Sequence, residues 1–259
     1  MWKTLPIQTA TDRGGYEGTN IVEYFEYKRD PDVVISAWKD TPANIRGWCQ
    51  SIWKDVFSTK VDPLNEADLV GWIPKKGTIT AKYGNWIGET RSRTVVYINY
   101  LFVDPQFRGE NLASKLILSI CNEATLRYGN NIPFMFEVDI IPKSLTDRGA
   151  QPICRYHYTW ILFTPIGNWK QTEIDISKEK GFHGFYSGWR MFKNNKGDKI
   201  LFDSNDDIVW YSNILELPTF DGFLIAGAYC RIFSPFGTSA VFAENMYFNP
   251  SYMTHYVLG

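Results

Sequence analysis

One stretch constrains this chain more than any other: YINYLFVDPQFRGENLASKLILSICNEA, residues 97–124. The run from Thr94 to Val103 is β-branched and aromatic throughout, which suits a strand. Asp104 and Pro105 end it. A polar loop follows, from Gln106 to Asn111. The apolar spacing then changes to threes and fours. Leu116, Ile117, Ile120, Ala124 and Leu126 are expected to form most of the buried face of a helix from about Leu112 to Tyr128. Gly129 is a natural stop for it.

The neighbouring patterns fit one layered domain. A helix is expected from about Pro42 to Phe57, with Thr41 as N-cap and Pro42 in the first helical position. Its apolar face would be Ile45, Trp48, Cys49, Ile52, Trp53 and Val56. Strand-like runs cover Leu69 to Ile73, Gly77 to Tyr83, Pro133 to Ile141, Cys154 to Thr164 and Gly188 to Phe192. A hairpin turn is expected at Lys193 to Gly197. Residues 1–30 read as loop, with turn signals at Gly14, Gly15 and Gly18. From Lys199 to Gly259 short aromatic strands alternate with turns whose order periodicity cannot fix. The fold class is therefore α/β (α+β), with a mixed sheet.

Composition narrows the function classes. The 259 residues carry 27 Lys+Arg against 28 Asp+Glu. That balance supplies no global attraction for nucleic acid or an anionic membrane. The apolar run from Tyr156 to Trp169 contains Pro165 and is shorter than the roughly 20 residues a spanning helix needs. The start, MWKTLPIQTATDRGG, has no apolar signal core, and a cytoplasmic protein is expected. Cys49, Cys121, Cys154 and Cys230 form no CxxC pair, and His157, His183 and His255 have no metal-ligand spacing, so no metal is expected.

The loop before the second helix is where chemistry can be read. A helix start presents unpaired N–H groups and the positive end of the dipole, which favour a phosphate. Arg108 adds a permanent cation, and Gly109 lets the backbone approach a ligand closely. Glu110 partly offsets that charge, and Ala113 is too small to block access. An ordinary βα turn would have the same outline, so the alternatives stay open on physics alone.

The residues also resemble a family. Arg108-Gly109-Glu110-Asn111-Leu112-Ala113 is similar to the Arg/Gln-x-x-Gly-x-Gly/Ala acyl-CoA motif of the GNAT acyltransferases, with Asn111 at the middle glycine. The N-myristoyltransferase branch lacks that glycine too. It reads Ile-Asn-Phe-Leu-Cys-Val before an Arg-Ser-Lys-Arg-Leu/Val-Ala loop, and Ile98-Asn99-Tyr100-Leu101-Phe102-Val103 matches at the same spacing. Trp2-Lys3-Thr4 with Pro6 resembles the family's Phe-Trp-x-Thr-Gln-Pro stretch. Pro152 with Cys154-Arg155-Tyr156 resembles its Pro-x-Gly-x-Cys-Arg-Tyr segment, and Leu69 to Ile73 its strand before the first motif. The likeness covers about residues 1–165, thinly between 7 and 68.

The resemblance implies a GNAT-like mixed twisted sheet flanked by helices. It implies residues 1–165 as the acyl-CoA-binding core and 166–259 as an abbreviated second GNAT-like half on the same sheet. It implies transfer of a myristoyl group from myristoyl-CoA to the N-terminal glycine amine of a peptide or protein, by a protein that is monomeric and not integral to a membrane. The backbone N–H groups of Tyr100 and Leu101 would hold the oxyanion. Asn99 would hold the amine or a water; a strand-edge hydrogen bond is its plain alternative. Phe102 and Val103 would pair with the pantetheine arm. Trp2, Lys3, Tyr100 to Val103 and Arg108, Gly109, Glu110, Asn111, Leu112 and Ala113 would hold the cofactor. The base would be the carboxylate of Gly259, since the family commonly ends Gly-Leu-Val-Leu plus one residue and this chain ends His255-Tyr256-Val257-Leu258-Gly259, with Tyr247-Phe248-Asn249 upstream. An apolar terminal strand, with His255 or His157 as base, is the other reading of that end.

The chain also departs from the family. The family's Lys-Phe-Gly-x-Gly-Asp-Gly signature is absent, with Phe220-Asp221-Gly222-Phe223 as a remnant. Tyr158 stands where the family has histidine, and His157 is one residue early, on the opposite face of an extended segment. An acidic peptide-contacting loop can be placed only at Glu23 to Asp32. Two other functions remain open: another GNAT N-acetyltransferase, or an acyl-CoA-binding or structural protein retaining the fold.

Overall fold

A computed structural model describes residues 29–59, 62–87, 92–129, 132–138, 154–163, 169–175, 181–183, 188–212, 226–233 and 239–244. The first half runs β1 (Val34–Ala37), α1 (Ala43–Phe57), β2 (Leu69–Ile73), β3 (Gly77–Ile87), β4 (Ser92–Val103), α2 (Leu112–Tyr128) and β5 (Phe134–Val138). The second is all strand: β6 (Cys154–Phe163), β7 (Lys170–Thr172), β8 (Gly181–His183), β9 (Arg190–Lys193), β10 (Lys199–Phe202), β11 (Ile208–Tyr211), β12 (Ala226–Phe233) and β13 (Ser239–Glu244).

All of them join one 13-stranded sheet, in the order β1-β2-β3-β4-β5-β13-β6-β12-β11-β10-β9-β7, with β8 against β3. β4 and β5 run parallel, as do β11 and β12; every other neighbour pair is antiparallel. The parallel step from β4 to β5 needs a crossover, and α2 supplies it. The halves meet where β13 slides between β5 and β6, pairing Val241 with both Glu137 and Cys154. The sheet is mixed and helix-flanked, as the pattern predicts.

Two cores cover the two faces of the first half. α2 lays Leu112, Leu116, Ile117, Ile120, Cys121 and Ala124 on Leu69, Ile79, Ala81, Val96, Ile98, Phe134 and Phe136. Each such buried aliphatic or aromatic side chain contributes roughly 1.5–3 kcal/mol. On the other face α1 brings Trp53 and Cys49 against Trp38, Val70 and Trp72. Alternation along the strands separates the two sets.

The helices follow the expected spans, with corrections. Pro42, not Thr41, is the N-cap of α1, and it makes no side-chain cap. Thr41 instead turns its hydroxyl to the carbonyl of Ala37 at 2.9 Å, tying the helix entry to β1. Val56 and Leu126, assigned to buried faces, are 52% and 73% exposed. Leu126, two residues past the buried Ala124, falls on the outer side of α2, and in the last turn of α1 Phe57 takes the core contact in place of Val56. Cys121 takes the place expected of Leu126. β3 runs beyond Tyr83 to Ile87 because β8 extends its outer edge. The turn at Asn194 closes as expected, with the Gly197 N–H donating to the Asn194 carbonyl at 3.1 Å.

Candidate functional site

β4 changes character half-way along. Val96, Tyr97 and Ile98 pair with Phe134, Met135 and Phe136 of β5, and the pairing stops there. Among the described residues, Asn99 to Val103 have only β3 as a paired neighbour. The parallel strands therefore part after Ile98, and from there one edge of β4 has no strand partner among the described residues.

The same point carries a bulge. Thr80 faces Asn99 and Thr78 faces Phe102, so Tyr100 and Leu101 together oppose Ile79 alone. Tyr100 takes up φ 49°, rare for a bulky residue and a site of local strain. The extra residue resets the alternation. Ile98 points to the α2 core, and so do Leu101 and Val103, whereas Tyr100 packs with the α1 cluster.

Neighbouring groups hold this bend in place. The Thr80 hydroxyl donates to the Asn99 carbonyl at 3.1 Å. The Asn99 side-chain oxygen accepts the Tyr100 N–H at 2.7 Å. That local bond is the plain alternative for Asn99, and it covers one of the two expected oxyanion donors. Gly77 lies against the carbonyl of Phe102, where a Cβ would come within 2.7 Å. Glycine is thus required for β3 and β4 to approach here. The Tyr100 ring is held by Trp53 at 5.6 Å and by the edge of Phe57 at 5.4 Å. Burial pushes its phenol up to about 12; the Thr59 hydroxyl pulls it back in part, and the charges of Asp203 and Glu137 add to the rise.

Below the open edge lies the loop to α2. Asp104 accepts the Gln106 N–H at 2.9 Å and starts a turn from Pro105 to Phe107. Gly109 at φ +98° and Asn111 at φ 61° then swing the chain into the helix. Asn111 gives α2 no side-chain cap. Arg108, Gly109, Glu110 and Asn111 are exposed, Ala113 is half-buried, and Leu112 anchors the turn in the core. Lys76, from the β2–β3 turn, comes to the same place: its ammonium lies 4.7 Å from the Phe107 ring and 3.4 Å from Glu110. Arg108 and Lys76 thus outweigh Glu110 beside a helix start, an arrangement suited to phosphate.

The structure brings Asn99, Tyr100, Leu101, Phe102 and Val103 together along one strand, with Arg108 to Ala113 following directly. Trp2, Lys3, Gly259 and His255 lie outside the described residues, as does most of Glu23 to Asp32. Asp30 and Asp32 of that last segment are described. Both pair with Lys115 of α2, at 3.2 and 3.1 Å. Sequence reasoning missed Gly77, Thr80 and Lys76. A glycine between a lysine pair and a strand was the available signal for the first. Nothing local marks Thr80. Among the described residues no cluster of His, Cys, Asp and Glu could hold a metal ion.

No protein-family model matches this sequence, and no curated protein sequence does either. Solved structures do match. The structure of Saccharomyces cerevisiae N-myristoyltransferase with bound myristoyl-CoA aligns with TM-score 0.57 and 8% identity, over 96% of this chain and 93% of that one. A second structure of the yeast enzyme, with bound myristoyl-CoA and inhibitors, aligns with TM-score 0.56 and 10% identity, over 96% and 90%. The chain has the fold of an N-myristoyltransferase. The likeness therefore runs well past residue 165, where the sequence motifs stop. No helix among the described residues is long and apolar enough to cross a membrane.

Proposed function

We propose that this chain is an acyl-CoA-dependent N-acyltransferase that moves a myristoyl group from myristoyl-CoA to the N-terminal glycine amine of a peptide or protein. The observation that carries the reading is the parting of β4 from β5 after Ile98, with the Tyr100–Leu101 bulge at its apex. An open strand edge accepts an extended amide-bearing ligand as it would another strand. Phe102 and Val103 take the pantetheine arm there, and the phosphates rest on Arg108 and the first turn of α2. Trp2 and Lys3 close over the cofactor. The thioester carbonyl then lies at the bulge, and the N–H groups of Tyr100 and Leu101 receive the oxyanion as the amine attacks. For Tyr100 this requires Asn99 to release the N–H it now accepts and to turn toward the amine. The Gly259 carboxylate takes the proton lost by nitrogen, and CoA leaves as the thiolate, which that proton then neutralises to the thiol.

The test is direct. The protein is incubated with myristoyl-CoA or acetyl-CoA and peptides beginning with glycine, while CoA release and product mass are followed. Myristoylated peptide is the expected product. Acetyl transfer alone would make this another GNAT N-acetyltransferase. Tight binding of myristoyl-CoA without turnover would make it an acyl-CoA-binding protein. Adding one alanine after Gly259 moves the terminal carboxylate and is expected to lower kcat by roughly 100-fold; unchanged activity removes Gly259 from the mechanism. A cytoplasmic monomer fits this reading, and sizing by light scattering checks the oligomeric state.

A further inference from the structure

Glu137 occupies a position that the proposed reaction does not yet use. It is the first residue of β5 past the last β4–β5 pair, as Asn99 is the first of β4. The two therefore flank the mouth of the split. Phe134 and Phe136 pack into the α2 core. By alternation Glu137 stands on the opposite face, the face of Tyr97, Asn99 and the Tyr100 ring. On the α2 face this end of the sheet is filled by the α2 core, whereas Glu137 is only half-buried on the other face.

The carboxylate is anchored there. The Tyr97 hydroxyl donates to the Glu137 carboxylate at 2.7 Å. Tyr97 is itself 1% exposed and cannot swing away. The bond fixes one carboxylate oxygen from the sheet side. The Tyr100 phenol, at the apex of the bulge, feels the charge of Glu137. Lys82 lies across from Tyr97 on β3, on this same face, with Asp68 and Asp62 as the acids that act on it.

We propose that Glu137 is the acceptor anchor: its carboxylate holds the ammonium form of the incoming N-terminal amine beside the bulge, with Tyr97 as its positioning residue. This rests on the acyltransferase reading above. It assigns Glu137 to binding and orientation, leaving proton removal to the chain-end carboxylate. Under this assignment a free amine is selected over a blocked or neutral terminus, because a cation gains from a partly buried carboxylate.

The experiment compares wild type, Glu137→Gln, Glu137→Asp and Tyr97→Phe in myristoyl transfer to a glycyl peptide. Competition by the same peptide with a neutral glycolyl terminus is measured in parallel. Glu137→Gln is expected to raise the peptide KM on the order of 30-fold, with kcat changed by less than about threefold and myristoyl-CoA affinity unchanged. It should also abolish the preference for glycyl over glycolyl peptide. Glu137→Asp should restore part of both, and Tyr97→Phe should raise KM by roughly 2- to 10-fold without touching kcat. Tyr97→Phe keeps the packing of the ring, so it decides the matter if Glu137→Gln folds poorly. A wild type that transfers acyl groups while Glu137→Gln keeps its KM and its amine preference overturns the anchor alone. A wild type without transfer overturns the acyltransferase reading, and the anchor with it.

Discussion

The two ends of β4 show what this fold does with a single strand. From Val95 to Ile98 it is paired on both edges where β5 begins, buried, and packed as any central strand would be. From Asn99 to Val103 it has, among the described residues, one paired edge, a bulge and only half-buried side chains. The first stretch gains its stability from area removed from water. The second gives up ladder bonds and accepts positive φ at Tyr100, which under the proposed function leaves backbone groups for a ligand. A site of this kind exists where regular pairing stops and the surrounding packing still dictates the geometry.

The largest expected effect tests the bulge backbone. Tyr100→Pro removes the N–H and is expected to lower kcat by roughly 100-fold or more, whereas Tyr100→Ala keeps the donor and should lose far less. Equal losses in steady-state assays would show that the side chain, not the backbone, matters. The next effects contrast the two ends in stability. Leu116→Ala, in the dry core under the paired end, is expected to cost about 2–5 kcal/mol in urea unfolding. Gly77→Ala, which drives a Cβ against the Phe102 carbonyl, should cost about 1–3 kcal/mol and also weaken acyl-CoA binding. If Gly77→Ala left binding untouched, the close approach of β3 would be unrelated to the open edge.

A pH measurement separates the ends more gently. The Tyr100 phenol, ordinarily near 10.0, is pushed up to about 12 by burial. The fold thus favours its neutral form. That contribution is complete below about pH 10 and is lost as pH rises toward about 12. Phenolate absorbance in wild type minus Tyr100→Phe should show one tyrosine titrating late, and a normal midpoint would place the ring in water. The smallest effect is at Leu126, 73% exposed, where Leu126→Ser should change stability by less than about 0.5 kcal/mol.

Much of the first half was legible because its signals are local. The span of α2, Leu112 to Tyr128, follows from apolar spacing and from Gly129, which takes φ +96° at the helix end. The polar loop between Asp104 and Asn111 announced itself by composition. The helix faces were read less well. Periodicity indicates which residues share a face only when the face is centred correctly: Leu126, two residues past the buried Ala124, lies on the outer side of α2, and Phe57 rather than Val56 meets the core at the end of α1. In the candidate site, the order Asn99, Tyr100, Leu101 carried a trace of the bulge, because Ile98 and Leu101 are three apart in a strand whose core face should recur in twos. The supporting groups were not legible. Thr80 and Gly77 matter only because β3 happens to lie beside that bend.

The sequence by itself determined the strand, loop and helix from Thr94 to Tyr128, because hydrophobic period, proline, glycine and charge act over a few residues. Only the tertiary structure decided that β5 leaves β4 after Ile98, that β13 enters between β5 and β6, and that Tyr97 holds Glu137 at the mouth of the split. Those facts depend on pairings between residues distant along the chain. Such pairings form wherever the summed burial of both strands is best, and no local pattern records which partner wins.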